Sequence, residues 1–179
     1  MSWQIDPAHT RIYFTGRHMM ITKVRGRFEK FDGVIEFDED NPVNTRVEFD
    51  IDVASVNTEE QQRDDHLRSA DFFDAEHYPT MHFKSKRVEQ IDESHGHLIG
   101  DLTIRDVTKE VALDVEYTGI AKSPWGTQVA AFSASTTINR KDWGLTWNVP
   151  LETGGFLVSE QIAIGIDLEL VKQPETVPA

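Results

Sequence analysis

Apolar and polar positions alternate through most of the chain with the two-residue period of a strand. Segment 46–56 shows it most cleanly, with Val47, Phe49, Ile51 and Val53 set against Glu48, Asp50 and Asp52. Segment 158–171 puts Ile162, Ile164, Ile166, Leu168 and Leu170 on one parity, and Ala163, Gly165, Asp167 and Glu169 on the other. The same reading holds for 9–17 (Ile12, Phe14), 80–88 (Met81, Phe83) and 97–104 (Leu98, Leu102, Ile104). It holds again for 110–117 (Val111, Leu113, Val115, Tyr117) and 129–139 (Phe132, Ala134, Thr136, Ile138). Segment 2–5 is a short strand ended by Asp6-Pro7. Segment 23–37 carries Val24, Gly26 and Phe28 on one parity but Ile35 and Phe37 on the other, so a bulge or bend is expected near Phe31-Asp32-Gly33. His18-Met19-Met20-Ile21 breaks the alternation and reads as a short turn or helix. About eight strands, each with one apolar face and separated by turns, predict an all-β antiparallel sandwich or closed barrel.

Segment 57–83 departs from this pattern. Thr58 with Gln61 three residues on forms a capping box, Glu59 and Glu60 suit the first turn, and Arg68 suits the last. Ser69 is placed to cap a second short turn holding Phe72 and Phe73, and Pro79 ends any helix. From Thr58 to Arg68 the only large apolar residue is Leu67, so no apolar stripe holds this helix down. Leu67, Phe72, Phe73 and Tyr78 are the expected anchors of a polar flap over one end of the β structure. Segment 140–153 is irregular and aromatic, with Trp143 and Trp147, and an Arg140–Asp142 ion pair is expected to fix it.

The 179 residues suit a single domain, drawn over 1–172 with a flexible tail at 173–179. A net charge of −13 repels phosphate backbones and anionic headgroups, so neither nucleic acid nor an anionic lipid surface is an expected partner. The absence of cysteine excludes disulfide and thiolate chemistry. No apolar run reaches the length of a membrane span. The start, Met-Ser-Trp-Gln-Ile-Asp-Pro, lacks the basic-then-apolar pattern of a signal peptide, so the expected location is cytoplasmic, or periplasmic if a leader has been removed.

Candidate chemistry is sparse. Asp64, Asp65 and His66 can supply an acid and a base, but there is no nucleophile elbow, phosphate loop or dinucleotide fingerprint. The chain is therefore read as no enzyme, with no catalytic residue assigned. The alternative is an enzyme acting on a lipid or quinone precursor through those three side chains. His95-Gly96-His97 and the His77/His82 pair match no zinc spacing, so no metal is expected.

Several segments together carry a family resemblance. They are Trp3-x-Ile5-Asp6-Pro7-x-His9-Thr10, Gly26-x-Phe28-x-x-Phe31-x-Gly33, and Arg63-Asp64-Asp65-His66-Leu67-x-Ser69-x-Asp71-Phe72-Phe73-Asp74 with Tyr78-Pro79 and Phe83-x-Ser85. Gly100-x-Leu102-Thr103-Ile104 with Val107-Thr108-Lys109, and Asn139-Arg140-x-Asp142-Trp143-Gly144, complete the set. In this order the chain resembles the YceI-like family of lipocalin-like, polyisoprenoid-binding proteins. The resemblance selects an eight-stranded barrel over a sandwich, with the short helical insertion at 58–78. It departs at the turn after Ile104, where the family usually has Gly and this chain reads Arg105-Asp106; the tolerance of Asp for left-handed dihedrals is expected to preserve that turn.

The resemblance implies a homodimer and a carrier that sequesters a long isoprenoid or similar lipid (polyprenyl, quinone-like or acyl) inside the barrel, with no other cofactor. The interior candidates are Ile12, Phe14, Phe28, Phe49, Ile51, Phe83, Leu102, Ile104, Leu113, Val115, Phe132, Ile138, Trp143, Ile162, Ile164, Ile166 and Leu168. Periodicity by itself favours an ordinary filled core; it is the resemblance that favours a ligand tunnel. Burying a methylene contributes roughly 0.8 kcal/mol, hence on the order of 3–4 kcal/mol per isoprene unit, against an association cost of roughly 4–15 kcal/mol. A chain of several units is therefore favoured over a small metabolite. Donors for a head group are sought first at His18, Arg25 and Arg140, then at Lys23 and His66.

Overall fold

The computed structural model describes residues 3–172. Nine long strands and two short ones make a single antiparallel sheet that curls into a barrel. They are β1 (Trp3–Ile5), β2 (Arg11–His18), β3 (Thr22–Phe28), β4 (Phe31–Glu36), β5 (Arg46–Asp52), β6 (Val56–Asn57), β7 (Thr80–Gln90), β8 (His95–Ile104), β9 (Val107–Lys122), β10 (Gln128–Asn139) and β11 (Gln161–Lys172). Hydrogen-bonded neighbours run β4-β5-β7-β8-β9-β10-β11-β2-β3-β6, and β1 pairs with β11. Counting β3 and β4 as one bent strand and leaving out β1 and β6 leaves the eight long strands that the alternation predicts.

The bend falls at Glu29-Lys30, two residues before the expected position. There the inward parity passes from Val24, Gly26 and Phe28 to Phe31, Gly33 and Ile35. Ser55 fastens the corner: its carbonyl accepts from Glu29 N–H (3.2 Å) and its hydroxyl from Lys30 N–H (3.0 Å). Asp52 N–H donates to the Lys30 carbonyl at 3.0 Å. These bonds close the seam between β3–β6 and β4–β5. On the other side β1 extends from β11, and Ile5 packs over Gly33 of β4.

Register places the apolar parity inward. Ile138, Thr136, Ala134 and Phe132 of β10 stand opposite Ile162, Ile164, Ile166 and Leu168 of β11. Ile12 and Phe14 of β2 stand between Ile166 and Ile164 on one side and Phe28 and Gly26 on the other. At Gly26 a β-carbon would lie 2.3 Å from the Phe14 ring, and at Gly100 one would lie 2.6 Å from the Phe83 ring. Both glycines give an inward aromatic ring the space it occupies.

The helix α1 spans Gln61–Arg68, and Glu60 caps it, not Thr58. The Glu60 carboxylate accepts from the N–H of Gln62 (3.3 Å) and Arg63 (2.7 Å). Thr58 is engaged elsewhere: the Asp64 carboxylate accepts from its N–H (2.8 Å) and its hydroxyl (2.6 Å). Arg68 ties the helix end to the sheet by donating to the carbonyls of Ala54 (2.9 Å) and Val56 (3.1 Å). The turn after Ile104 does form, but Arg105 takes the left-handed conformation (φ 56°), not Asp106. His18–Ile21 is a turn, with Met19 (φ 53°) and Met20 (φ 69°) both left-handed. The tail drawn at 173–179 lies outside the described residues.

Candidate lipid cavity

The barrel interior is not filled. A chamber of about 470 Å³ lies under α1, and a second of about 140 Å³ lies toward the β7–β8 turn. Phe49, Phe83, Leu113 and Ile166 line both and form the waist between them. An apolar cavity near 150 Å³ is dry and large enough to hold benzene, so the helix-side chamber has roughly three times that space.

The interior candidates distribute over this space. Ile12, Phe14, Phe28, Ile51, Leu102, Ile104, Ile138, Ile162 and Ile164 line the helix-side chamber, together with the four waist residues. Val115, Phe132 and Leu168 line the far one. Trp143 lines neither: it is 3% exposed, and its indole N–H donates to the Leu102 carbonyl at 2.9 Å, pinning the segment after β10 beneath β8. Phe37, Tyr117 and Phe132 pack ring on ring at 5.0–5.8 Å beside the far chamber.

Polar side chains gather at the helix end, where Arg17, His18, Gln62, Arg63, His66 and Arg140 all reach the chamber wall. Arg25 lies exposed on β3, outside both chambers, because its parity on β3 is outward, and Lys23 is likewise exposed. Arg140 is 4% exposed and does not pair with Asp142. Its guanidinium donates to the carbonyls of Ser159 (2.9 Å), Leu145 (2.5 Å) and Val158 (3.4 Å) and lies 5.6 Å from the centre of the Phe72 ring. Burial pushes its pKa down, opposed by the charge of Glu160, whose carboxylate is held by Lys141 at 2.7 Å. An arginine keeps its proton in such a setting. The chamber wall therefore carries a buried positive charge bound to neutral acceptors.

Asp64, Asp65 and His66 do not converge. Asp64 is buried against Thr58, while Asp65 accepts from Arg68 (3.0 Å) and Gln61 (3.1 Å). His66 bonds Asp71 at 2.9 Å and reaches the chamber, its ring set edgewise to Phe72 (5.0 Å) and Trp147 (4.5 Å). This contact joins α1 to the segment after β10 and makes the lid that the flap reading expects. Sequence reasoning missed Trp147, Arg17 and Arg63 as wall residues; Trp147 lies in a segment without period, and neither arginine carries a motif that singles it out. It also missed a surface group, Asp6, His9 and Glu169, whose ligand atoms lie within 4.8 Å of one another. There His9 Nδ1 is hydrogen-bonded to the Asp6 carboxylate at 2.8 Å and lies 3.1 Å from a carboxylate oxygen of Glu169.

With this geometry in hand, residues 3–170 match the YceI-like domain. The UPF0312 protein SAS2572 of Staphylococcus aureus is 35% identical over 162 residues, covering 90% of this chain and 92% of that one. The YCEI protein of Campylobacter jejuni is 36% identical in sequence and superposes with a TM-score of 0.78, over 88% of this chain and 90% of that one. A polyisoprenoid binding domain from Saccharophagus degradans shares the fold at 15% identity, with a TM-score of 0.67 over 95% of this chain and 98% of that one. The chain belongs to the YceI-like family.

Proposed function

We propose that this protein binds and carries a long-chain isoprenoid or similar lipid, its tail running from the helix-side chamber through the waist toward the far one. The single observation that carries the reading is the pair of adjoining chambers walled almost wholly by apolar side chains. The polyisoprenoid binding named for the S. degradans domain supports the same reading. The head group lies at the helix end, where Arg140 offers positive charge and His18 and His66 offer ring nitrogens. A phosphate or carboxylate head suits that end, because a buried cation gains most from an anion in a dry site. Carriage as a homodimer belongs to the same proposal, and light scattering on the purified protein reads it.

Native mass spectrometry followed by organic extraction tests the proposal. The expected result is a released mass of a polyprenyl, quinone-like or acyl species. Ile164→Asp, which puts a carboxylate into the chamber wall, is expected to abolish retention while far-UV circular dichroism stays that of a β protein. A protein that emerges empty and takes up no added polyprenyl lipid overturns the reading.

A further inference from the structure

We propose that the tip formed by the β2–β3 turn and the 149–157 loop docks on an anionic lipid bilayer, beside the mouth of the helix-side chamber. This inference does not depend on which lipid the chambers take.

The tip is apolar where it projects. Ile21 is 77% exposed, Met20 54%, Met19 49%, and Val149 and Phe156 42% each. Two separate segments build one surface. Met19 N–H donates to the Leu157 carbonyl at 2.8 Å, and the Met20 side chain lies over Gly155. Pro150 and Phe156 pair within the loop, and Leu157 N–H donates to Val149 at 2.9 Å. Met19 and Met20 hold left-handed dihedrals that residues other than glycine adopt at a cost. The tight β2–β3 turn thus carries its backbone strain at two of the three apolar residues it exposes.

Charge says what covers this surface. The chain carries −13 overall, yet from Pro7 to Phe28 it contains Arg11, Arg17, Lys23, Arg25 and Arg27 and no acidic residue. Arg17 stands opposite Lys23, and Thr15 opposite Arg25, in the two strands that lead to the tip. Arg27 pairs with Glu29 and Glu59, but among the described residues Arg17, Lys23 and Arg25 form no ion pair with a carboxylate. The 149–157 loop adds one acid, Glu152. Exposed apolar side chains backed by unpaired cations fit the boundary between anionic headgroups and acyl chains. At physiological salt the Debye length is about 8 Å, so acids elsewhere on the barrel are screened from a surface that the tip touches. The chamber opens beside the same tip, since Gly16, Arg17, His18, Leu157 and Val158 line it. A docked protein would receive or release its ligand without exposing the tail to water.

Flotation of the full-length protein with vesicles of phosphatidylcholine, with and without phosphatidylglycerol, tests this. Binding is expected only with phosphatidylglycerol, weakening as salt is raised. Ile21→Asp is expected to abolish it, Lys23→Glu to weaken it at least about fivefold, and Trp125→Asp, at the opposite end of the barrel, to leave it unchanged. No flotation at low salt, or flotation that Ile21→Asp leaves intact, overturns the proposal. If the protein does not float but forms an oligomer that Ile21→Asp dissociates in light scattering, the tip is an interface between copies, and the proposal is equally overturned.

Discussion

Arg140 shows how much one side chain can join at the residue scale. It fastens the carbonyls of Ser159 and Leu145, which belong to a segment with no sheet of its own, and it charges the chamber wall. Arg140→Met removes both roles. The expected loss of stability is about 3 kcal/mol, because charge-assisted donors to buried carbonyls are lost together; urea denaturation reads it. The same variant should lose its preference for anionic over neutral lipid heads, measured by competition between a fatty acid and its alcohol. Arg105 is the opposite case. Its left-handed backbone is a strain that glycine relieves, while the cation over the Tyr78 ring at 5.6 Å offsets part of it. Arg105→Gly is expected to raise stability by up to about 1 kcal/mol, seen as a higher thermal midpoint.

Elements depend on neighbours that sequence spacing does not reveal. The Thr58–Gln61 box has the right residues, but Asp64 one turn along captures Thr58, and the cap moves to Glu60. Glu60→Ala is expected to cost about 1 kcal/mol, with faster hydrogen exchange confined to residues 61–68. The short β1 strand is held by a different device. The hydrogen bond to Asp6, reinforced by the charges of Glu169 and Asp6, raises the pKa of His9 above 6.5. A raised folded-state value means that this contribution is fully present below the unfolded value of 6.5 and is lost as pH rises through the folded one. The difference in thermal midpoint between the wild type and His9→Ala should therefore narrow as pH climbs across that window.

Over the whole molecule, the chambers and their waist set what length of chain the proposed carrier admits. Phe49, Phe83, Leu113 and Ile166 stand where the two spaces meet. Leu113→Trp fills that passage, at an expected overpacking cost of about 1–3 kcal/mol. It should shorten the longest polyprenyl chain retained while leaving short chains bound, read by mass spectrometry across a series of chain lengths. The aromatic cluster of Phe37, Tyr117 and Phe132 beside the far chamber and the His66–Phe72–Trp147 contact at the other end give the barrel two unlike ends. Arginines reach the wall only at the helix end; the polar lining of the far chamber comes from Thr45 and from residues at the β7–β8 turn such as Gln90, Asp92 and His97.

Strand periodicity determined much of this protein from sequence alone. A two-residue period assigns each side chain to one face, so Ile12, Phe49, Leu102 and Ile164 were readable as interior before any partner strand was known. The family motifs chose a barrel over a sandwich. Trp143 was misread as a wall residue because it follows the last inward position of β10 in a segment with no period, where only its bond to the Leu102 carbonyl fixes its place. Only tertiary structure decided whether the interior is filled, since that volume depends on how far a curled sheet holds opposite walls apart, which no local pattern encodes. It also decided the partners of Arg140, the cap of α1 and the residue that turns left-handed after β8. Each of these is a competition among several able neighbours, and distance across the fold, not spacing along the chain, selects the winner.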